Sequence, residues 1–353
     1  MPTPSDPQLP TRNHAPVCDE NTLRGLTVEG NLPTALTGRY LQIGLDGVIH
    51  AVELDAARAV GYFNRWLASD DIATNVMSFG GRTLALGRGV LAYELDEHLG
   101  TLGRVDLAGH GRGMGAHPQL DPHTGALHLV SFGDEPAHHI VAPNSQTRIT
   151  VPVPDAPGPL QDLLLTPERF VLLGEGFVGI TDRTGQVRPR WADVALPGAV
   201  AAWDLGGDVV TLAASRSLVR WTFRGGSPRR DVLDDTPQRF GTTNRRVPDP
   251  THVWTTAAAG GTEVYRHDLH TGDRTTHDLG TGRHPGAMTF VPDPTRLERE
   301  DGGWLLTFAH DETRNEADLI VLDAAAVHRP PVATVRIPRR IPHGLPGTWI
   351  QSP

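Results

Sequence analysis

Short runs in which every residue, or every second residue, is apolar recur along the whole chain and are separated by clusters of Gly, Pro, Asp and Thr. They include RTLALGRGVLAYEL (82–95), ALHLVSF (126–132), RFVLLGEGFVGITD (169–182), DVVTLAA (208–214), SLVRWTF (217–223), HVWTTAA (252–258), GWLLTFAHD (303–311) and ADLIVLDA (317–324). Strand-length runs bounded by turn formers predict an all-β chain. An Asp followed closely by Thr-Gly recurs in DPHTG (121–125), DRTG (182–185), DLHTG (268–272) and DLGTG (278–282). The Asp side chain accepts turn hydrogen bonds and the Gly supplies positive φ, so each is read as a hairpin between neighbouring strands. Repeated hairpins suggest repeated four-stranded blades. No strict 40–50-residue repeat is visible, and a pair of β-sandwiches stays open beside a propeller. ELDAARAVGYFNRW (53–66) has a helical, Ala-rich character, yet its Gly61 and aromatics suit a hairpin equally well. The proline-rich residues 1–17 read as an extended arm, and the remainder as one domain spanning the 353-residue chain.

Charge and composition narrow the classes. A formal net charge of −9 gives no basic footprint for nucleic acid or an anionic membrane. No stretch of about 18 apolar residues and no basic-then-apolar leader is present, so neither a spanning helix nor a signal peptide is expected, and the location expected is cytoplasmic. A single cysteine, Cys18, excludes an intrachain disulfide framework and a cysteine-rich zinc site. All 32 basic residues are arginine, which excludes a Schiff-base lysine and a P-loop.

The candidate chemistry is sparse. The 17 histidines invite a metal reading, but HExxH is absent. His138 and His139 are adjacent and on a strand would face opposite sides, and His267 and His270 straddle a turn. No GxSxG elbow is present, and the Gly-rich piece GHGRGMG (109–115) lacks the strand-to-helix setting of a phosphate loop. His117, in GAHPQLDPHTGALHLVSF (115–132), stands where a strand should enter the interior.

Several segments in fixed order resemble the carotenoid cleavage oxygenases, a family of seven-bladed propellers. They are NLPTALTGRYLQIG (31–44), DGVIHAVEL (46–54), YFNRW (62–66), YELDEHLGTLGRVDL (93–107), GAHPQLDPHTGAL (115–127), FVPDPTRLEREDGGWLLTFAHDE (290–312), ADLIVLDA (317–324) and VRIPRRIPHGLPGTWI (335–350). The resemblance runs from about residue 15 to residue 350 and implies one Fe(II) held by four histidines near the axis. Carried over position by position, the first ligand is His117, while the other three positions read Gln161, followed by the acid Asp162, then Gly198 and Pro346. A glutamate that supports the ligands in the family corresponds to Ala287. Glycine and proline offer no side-chain donor, and an amide is a poor substitute for imidazole on iron. The expectation is therefore a degenerate iron site and no cofactor, with Fe(II) required only if the alternative oxygenase reading holds.

The dome of loops over the axial cavity is expected to be reduced, because 177–188 and QIGLDG (42–47) are shorter than their family counterparts. The floor of the cavity is expected to carry His117, Gln161, Asp162, Gly198, Trp203, Ala287, His343 and Pro346, with His117, Asp162 and His343 as acid or base groups. Three functions follow as alternatives: a repurposed enzyme for metal-independent cyclisation, isomerisation or a related rearrangement of a polyene or specialised metabolite; a carrier for an apolar ligand; and a residual Fe(II) dioxygenase cleaving a polyene or stilbene-type double bond, its centre rebuilt from residues such as His138, His139 or His343. The partner in each is an apolar small molecule. The oligomeric state is not legible.

Overall fold

The computed structural model describes residues 16–352 apart from 45, 70, 110, 112, 132–134, 145–146, 185–186, 206, 225–226 and 343–345. The described residues form strands, turns and bends without a helix, and the strands group into seven antiparallel blades around an axis. Blade II (Asn75–Phe79, Arg82–Leu86, Ala92–Leu95, Thr101–Val105) has the simple form, in which the chain starts at the axis and steps outward through four strands. Blade III (Gln119–Leu120, Leu127–Val130, Ala137–Val141, Arg148–Pro152), blade IV (Leu160–Leu165, Arg169–Gly174, Val178–Asp182, Arg190–Ala192), blade V (Ala199–Leu205, Asp208–Ser215, Ser217–Arg224, Ser227–Asp234) and blade VI (Gln238–Thr242, His252–Ala257, Glu263–Asp268, Arg274–Asp278) repeat it.

The ring closes at both chain ends. The C-terminal strand Thr348–Gln351 supplies the inner edge of blade I, pairing Gly38–Ile43, which is followed by Val48–Asp55, Arg58–Trp66 and Asn21–Arg24. The strand Val28–Gly30 supplies the outer edge of blade VII, pairing Ala333–Ile337 beyond Glu316–Asp323 and Gly303–Asp311, while Arg283–Pro285 and Thr289–Pro292 share its inner edge. One apolar cluster seals this junction, bringing Leu36, Tyr40, Val52 and Tyr62 of blade I against Leu306, Phe308, Leu319 and Val335 of blade VII.

The hairpin turn chemistry is seen at two of the four Asp-Thr-Gly sites, 121–125 and 268–272, while Gly185 of DRTG lies outside the described residues. Asp121 accepts the N–H groups of His123 and Thr124, and Asp268 those of His270 and Thr271, while Gly125 and Gly272 take φ of 68° and 81°. DRTG also follows a blade strand, at the Val178–Asp182 end of blade IV. DLGTG differs: it carries the chain from the last strand of blade VI into blade VII, so its Asp cap serves a blade crossing and not a hairpin. The stretch 53–66 is a hairpin, with Ala56 and Ala57 both at positive φ in its two-residue loop (43° and 70°), the geometry that matches strand twist. Of the expected N-terminal arm, residues 1–15 lie outside the described residues; Val17 donates its N–H to Asp46.

Candidate functional site

Each blade places its inner strand at the axis, and these strands enclose a cavity of about 1030 Å³. Every blade contributes lining: Val76 from II, Gln119 from III, Asp162 from IV, Ala199 from V, Arg239 from VI, Phe290 from VII and Thr348 from I. The cavity is thus a product of ring closure and belongs to no single blade.

His117 and Asp162 meet on this wall from blades III and IV. The main-chain N–H of His117 donates to Asp162 Oδ1 at 2.9 Å, and His117 Nδ1 lies 3.1 Å from Asp162 Oδ2. One carboxylate therefore fixes both the backbone and the ring. With the proton on Nδ1, assigned from this hydrogen bond, Nε2 keeps its lone pair for a ligand in the lumen. The His117 side chain is 41% exposed, which leaves that nitrogen reachable. Glycine makes the approach of the two blades possible: a Cβ on Gly115 would collide with the Gln161 carbonyl. Gly115, the last residue of the Gly-rich piece, thus lets blades III and IV close on each other.

The positions at which the resemblance places the other iron ligands are at the lumen as well. Gln161, Gly198 and Pro346 all line it. Gln161 is the extra residue of a bulge between Leu160 and Asp162, and the ladder of blade V shifts in the same way between Ala199 and Ala201. Bulges re-aim side chains at a rim. Gly198 has φ +67°, and a Cβ there would lie 2.6 Å from the Ala214 carbonyl oxygen, so no side chain fits this position without moving the backbone. Pro346 carries no donor. Among the described residues no three His, Cys, Asp or Glu side chains gather as a metal-holding group.

The remaining expectations divide. Trp203 does not line the cavity; it is buried against Val210, Leu212 and Leu218 inside blade V, because its strand position points into the sheet stack and away from the axis. Ala287 is also buried outside the lining, its carbonyl facing the Tyr40 hydroxyl at 3.4 Å, and Met288 takes its place at the lumen. His343 lies outside the described residues. His138 and His139 belong to the third strand of blade III and are absent from the lining. His138 Nε2 is 3.0 Å from His128 Nδ1, and its ring packs 4.1 Å from that of Phe170. Burial pushes His128 down to about 4 and His138 down to about 3, so both are neutral imidazoles of the interior. His139 instead pairs with Thr150, 3.0 Å away, on the opposite face.

Arginines at the lumen escaped the sequence reading. Arg88, Arg239, Arg245 and Arg246 all line the cavity. The available signal was the doubled arginine in GTTNRRVPDP (241–250), polar and flanked by turn formers directly after a strand.

Comparison with known proteins agrees with the geometry. The family model described as retinal pigment epithelial membrane protein matches residues 64–189 and 190–351. A carotenoid cleavage oxygenase of Mycobacterium tuberculosis is 27% identical, with 95% of this chain and 96% of that protein aligned across 483 positions. A probable carotenoid cleavage dioxygenase 4 of Arabidopsis thaliana is 26% identical over 88% of this chain and 65% of its own length. Among solved structures, the cobalt-substituted apocarotenoid oxygenase of Synechocystis superposes with a TM-score of 0.87 at 19% identity, covering 97% of this chain and 98% of that one. An alignment of 483 positions against a 353-residue chain means that the mycobacterial relative carries stretches this chain lacks.

The expectation of no cofactor is corrected by these matches, since the family they identify is Fe(II)-dependent. The described residues nevertheless do not fit a four-imidazole centre: they bring one imidazole, His117, to the axis, and the chain offers Gln161, Gly198 and Pro346 at the other three positions. No described helix is long and apolar enough to cross a membrane. With a family model matched from residue 64 to residue 351 and a seven-bladed architecture built around the axial cavity, the chain belongs to the carotenoid cleavage oxygenase family.

Proposed function

We propose that the protein is an enzyme that takes an elongated apolar polyene, or a specialised metabolite of similar shape, into the axial cavity and rearranges it with the His117–Asp162 pair. The observation that carries this reading is that pair on the wall of a cavity of about 1030 Å³, large enough for a molecule of that size. The apolar part of the lining, from Val76, Met77, Leu163, Leu164, Phe177 and Phe290, suits a hydrocarbon chain.

The chemistry follows from the ring's orientation. Asp162 holds the Nδ1 proton and stabilises the imidazolium that forms when Nε2 accepts a proton. For a conjugated polyene ending in a carbonyl, Nε2 removes a proton from the saturated carbon attached to the far end of the conjugation, and the electron pair moves through the chain toward the carbonyl oxygen. The imidazolium then returns the proton at a different carbon. The sum is a shifted double bond with no change of oxidation state. Gln161, beside the pair, adds an amide that can hydrogen-bond a polar group of the ligand at this end of the cavity. Gly198 and Pro346 contribute shape only.

Oxidative cleavage of the polyene is the second reading, favoured by the names of the relatives. One experiment separates the two. Purified protein is incubated with an apocarotenal in 18O2, with and without added Fe(II), and the products are resolved by chromatography and mass spectrometry. A product of unchanged mass that disappears in His117→Ala supports rearrangement. Labelled shorter aldehydes support cleavage and overturn it. Saturable binding with no product overturns both and leaves a carrier.

A further inference from the structure

The lumen carries a charge pattern opposite to that of the whole chain. The protein has a formal net charge of −9, yet four arginines line the cavity against two carboxylates, Asp162 and Glu175. Asp162 is engaged by His117. Arg239 stacks over Phe240, 4.5 Å from the ring centroid, and its Nε is buried without a hydrogen-bond partner.

Arg245 and Arg246 are the informative pair. They stand in the segment that follows the inner strand of blade VI, whereas His117 precedes the inner strand of blade III. In a ring of repeated blades the inner strands run the same way, so the two features sit toward opposite ends of the axis. A smaller pocket of about 90 Å³ continues from the main cavity here and shares Arg245 and Arg246 as lining. The segment is anchored without using either guanidinium. Asn244 donates its side-chain amide to the Glu300 carbonyl and accepts the Arg246 N–H, and the Val247 N–H closes a turn on the Asn244 carbonyl. Neither guanidinium has an ion-pair or hydrogen-bond partner among the described residues. The acid nearest in the pocket lining, Asp121, is already committed, 2.6 Å from Arg183 and accepting two main-chain N–H groups. Protein packed around the Arg245 guanidinium lowers its pKa, while both side chains stay exposed to the space of the lumen, where a ligand can reach them. An arginine fork with no acid beside it is matched by a carboxylate.

We propose that Arg245 and Arg246 form an anion subsite at one end of the axial cavity, so that the substrate is an apolar molecule ending in a carboxylate. This rests on the reading of the axial cavity as the substrate site. The subsite fixes which end of the molecule enters first. The rest of the chain then extends along the inner strands, ~15–20 Å for five or six residues of strand, toward His117.

The test compares an all-trans polyene carboxylic acid with its methyl ester, binding being followed by quenching of tryptophan fluorescence in the wild type, Arg245→Gln, Arg246→Gln and Arg245→Lys. The acid binds at least tenfold more tightly than the ester in the wild type, the preference weakens as salt is raised, each glutamine variant loses most of it, and the lysine variant keeps part. Thermal melting of each variant confirms the fold. Equal affinity for acid and ester, or a preference that survives both glutamine substitutions in folded protein, overturns the subsite and leaves the cavity reading standing. Binding of neither ligand to the folded wild type overturns the cavity reading and the subsite with it.

Discussion

Blade III holds histidines in two settings. At its inner rim, His117 reaches across the blade boundary to Asp162 and stays open to the lumen. Within its sheet, His128 and His138 stack on each other, 5.2 Å between ring centroids, and pack at a tilt against Phe170 of blade IV, closed off from water. Both settings join blade III to blade IV. The rim pair can exchange a proton with a bound molecule because one nitrogen is oriented by a carboxylate and the other is free. The interior pair is held neutral by burial and serves as aromatic packing. Residue type alone does not separate these roles; solvent access and a carboxylate partner do.

The largest expected effect is on turnover at the rim. His117→Ala lowers conversion of a polyene substrate by ~10²–10⁴-fold while changing stability by less than about 1 kcal/mol, as expected of a partly exposed acid/base group. Steady-state rates together with denaturant melts check it; a large stability loss with normal turnover per folded molecule would reverse the comparison. In the interior the balance is the opposite. Phe170→Ala removes the ring against which both buried histidines rest and costs ~3–5 kcal/mol of stability, read from the shift in denaturant midpoint. A cost below about 1 kcal/mol would mean that the cluster is not a packing centre.

Acid titration sharpens the contrast. His128 and His138 titrate near 6.5 when unfolded, but in the folded protein burial lowers them to about 4 and about 3. Between those values the unfolded chain binds protons that the native state does not. Stability therefore rises with pH through this window and is lost as pH falls from 6.5 toward 4, by up to ~1.4 kcal/mol per pH unit for each histidine. His50 and His267, also buried and lowered to about 3 and about 4, add to the same slope. Chemical melts at pH 7, 6 and 5 measure it, and His128→Asn should flatten the slope. Gly198→Ala is the smallest change, costing about 1–3 kcal/mol because it combines a left-handed backbone with the close Ala214 carbonyl. If this variant is as stable as wild type, position 198 tolerates a side chain and the argument against a ligand there weakens.

Much of the fold was legible from local chemistry. Period-two apolar runs gave the strands, and the Asp caps with positive-φ glycines at 121–125 and 268–272 gave the hairpins. The same pattern misled at 278–282, since an Asp-capped turn looks alike whether it joins two strands of one blade or two blades. At the site, motif resemblance located His117, Gln161, Asp162, Gly198 and Pro346, all of which line the cavity. It placed Trp203 and Ala287 at the lumen as well, whereas Trp203 packs inside blade V and Ala287 is buried in the link between Arg283–Pro285 and Thr289–Pro292, with its neighbour Met288 at the lumen. Arg245 and Arg246 belonged to no motif, and their significance lies in what surrounds them.

The sequence by itself determined that the chain is all β and that it lacks the lysines and the cysteine clusters that several chemistries require. Those are properties of residue identity and local pattern. The tertiary structure decided which polar groups share a space. His117 and Asp162 are 45 residues apart and come within 3.1 Å only because blades III and IV stand side by side around the axis. Burial follows the same rule: His117 and His128 are eleven positions apart in one blade, yet one faces the lumen and the other the interior, since exposure is set by the register of the sheet and the closure of the ring.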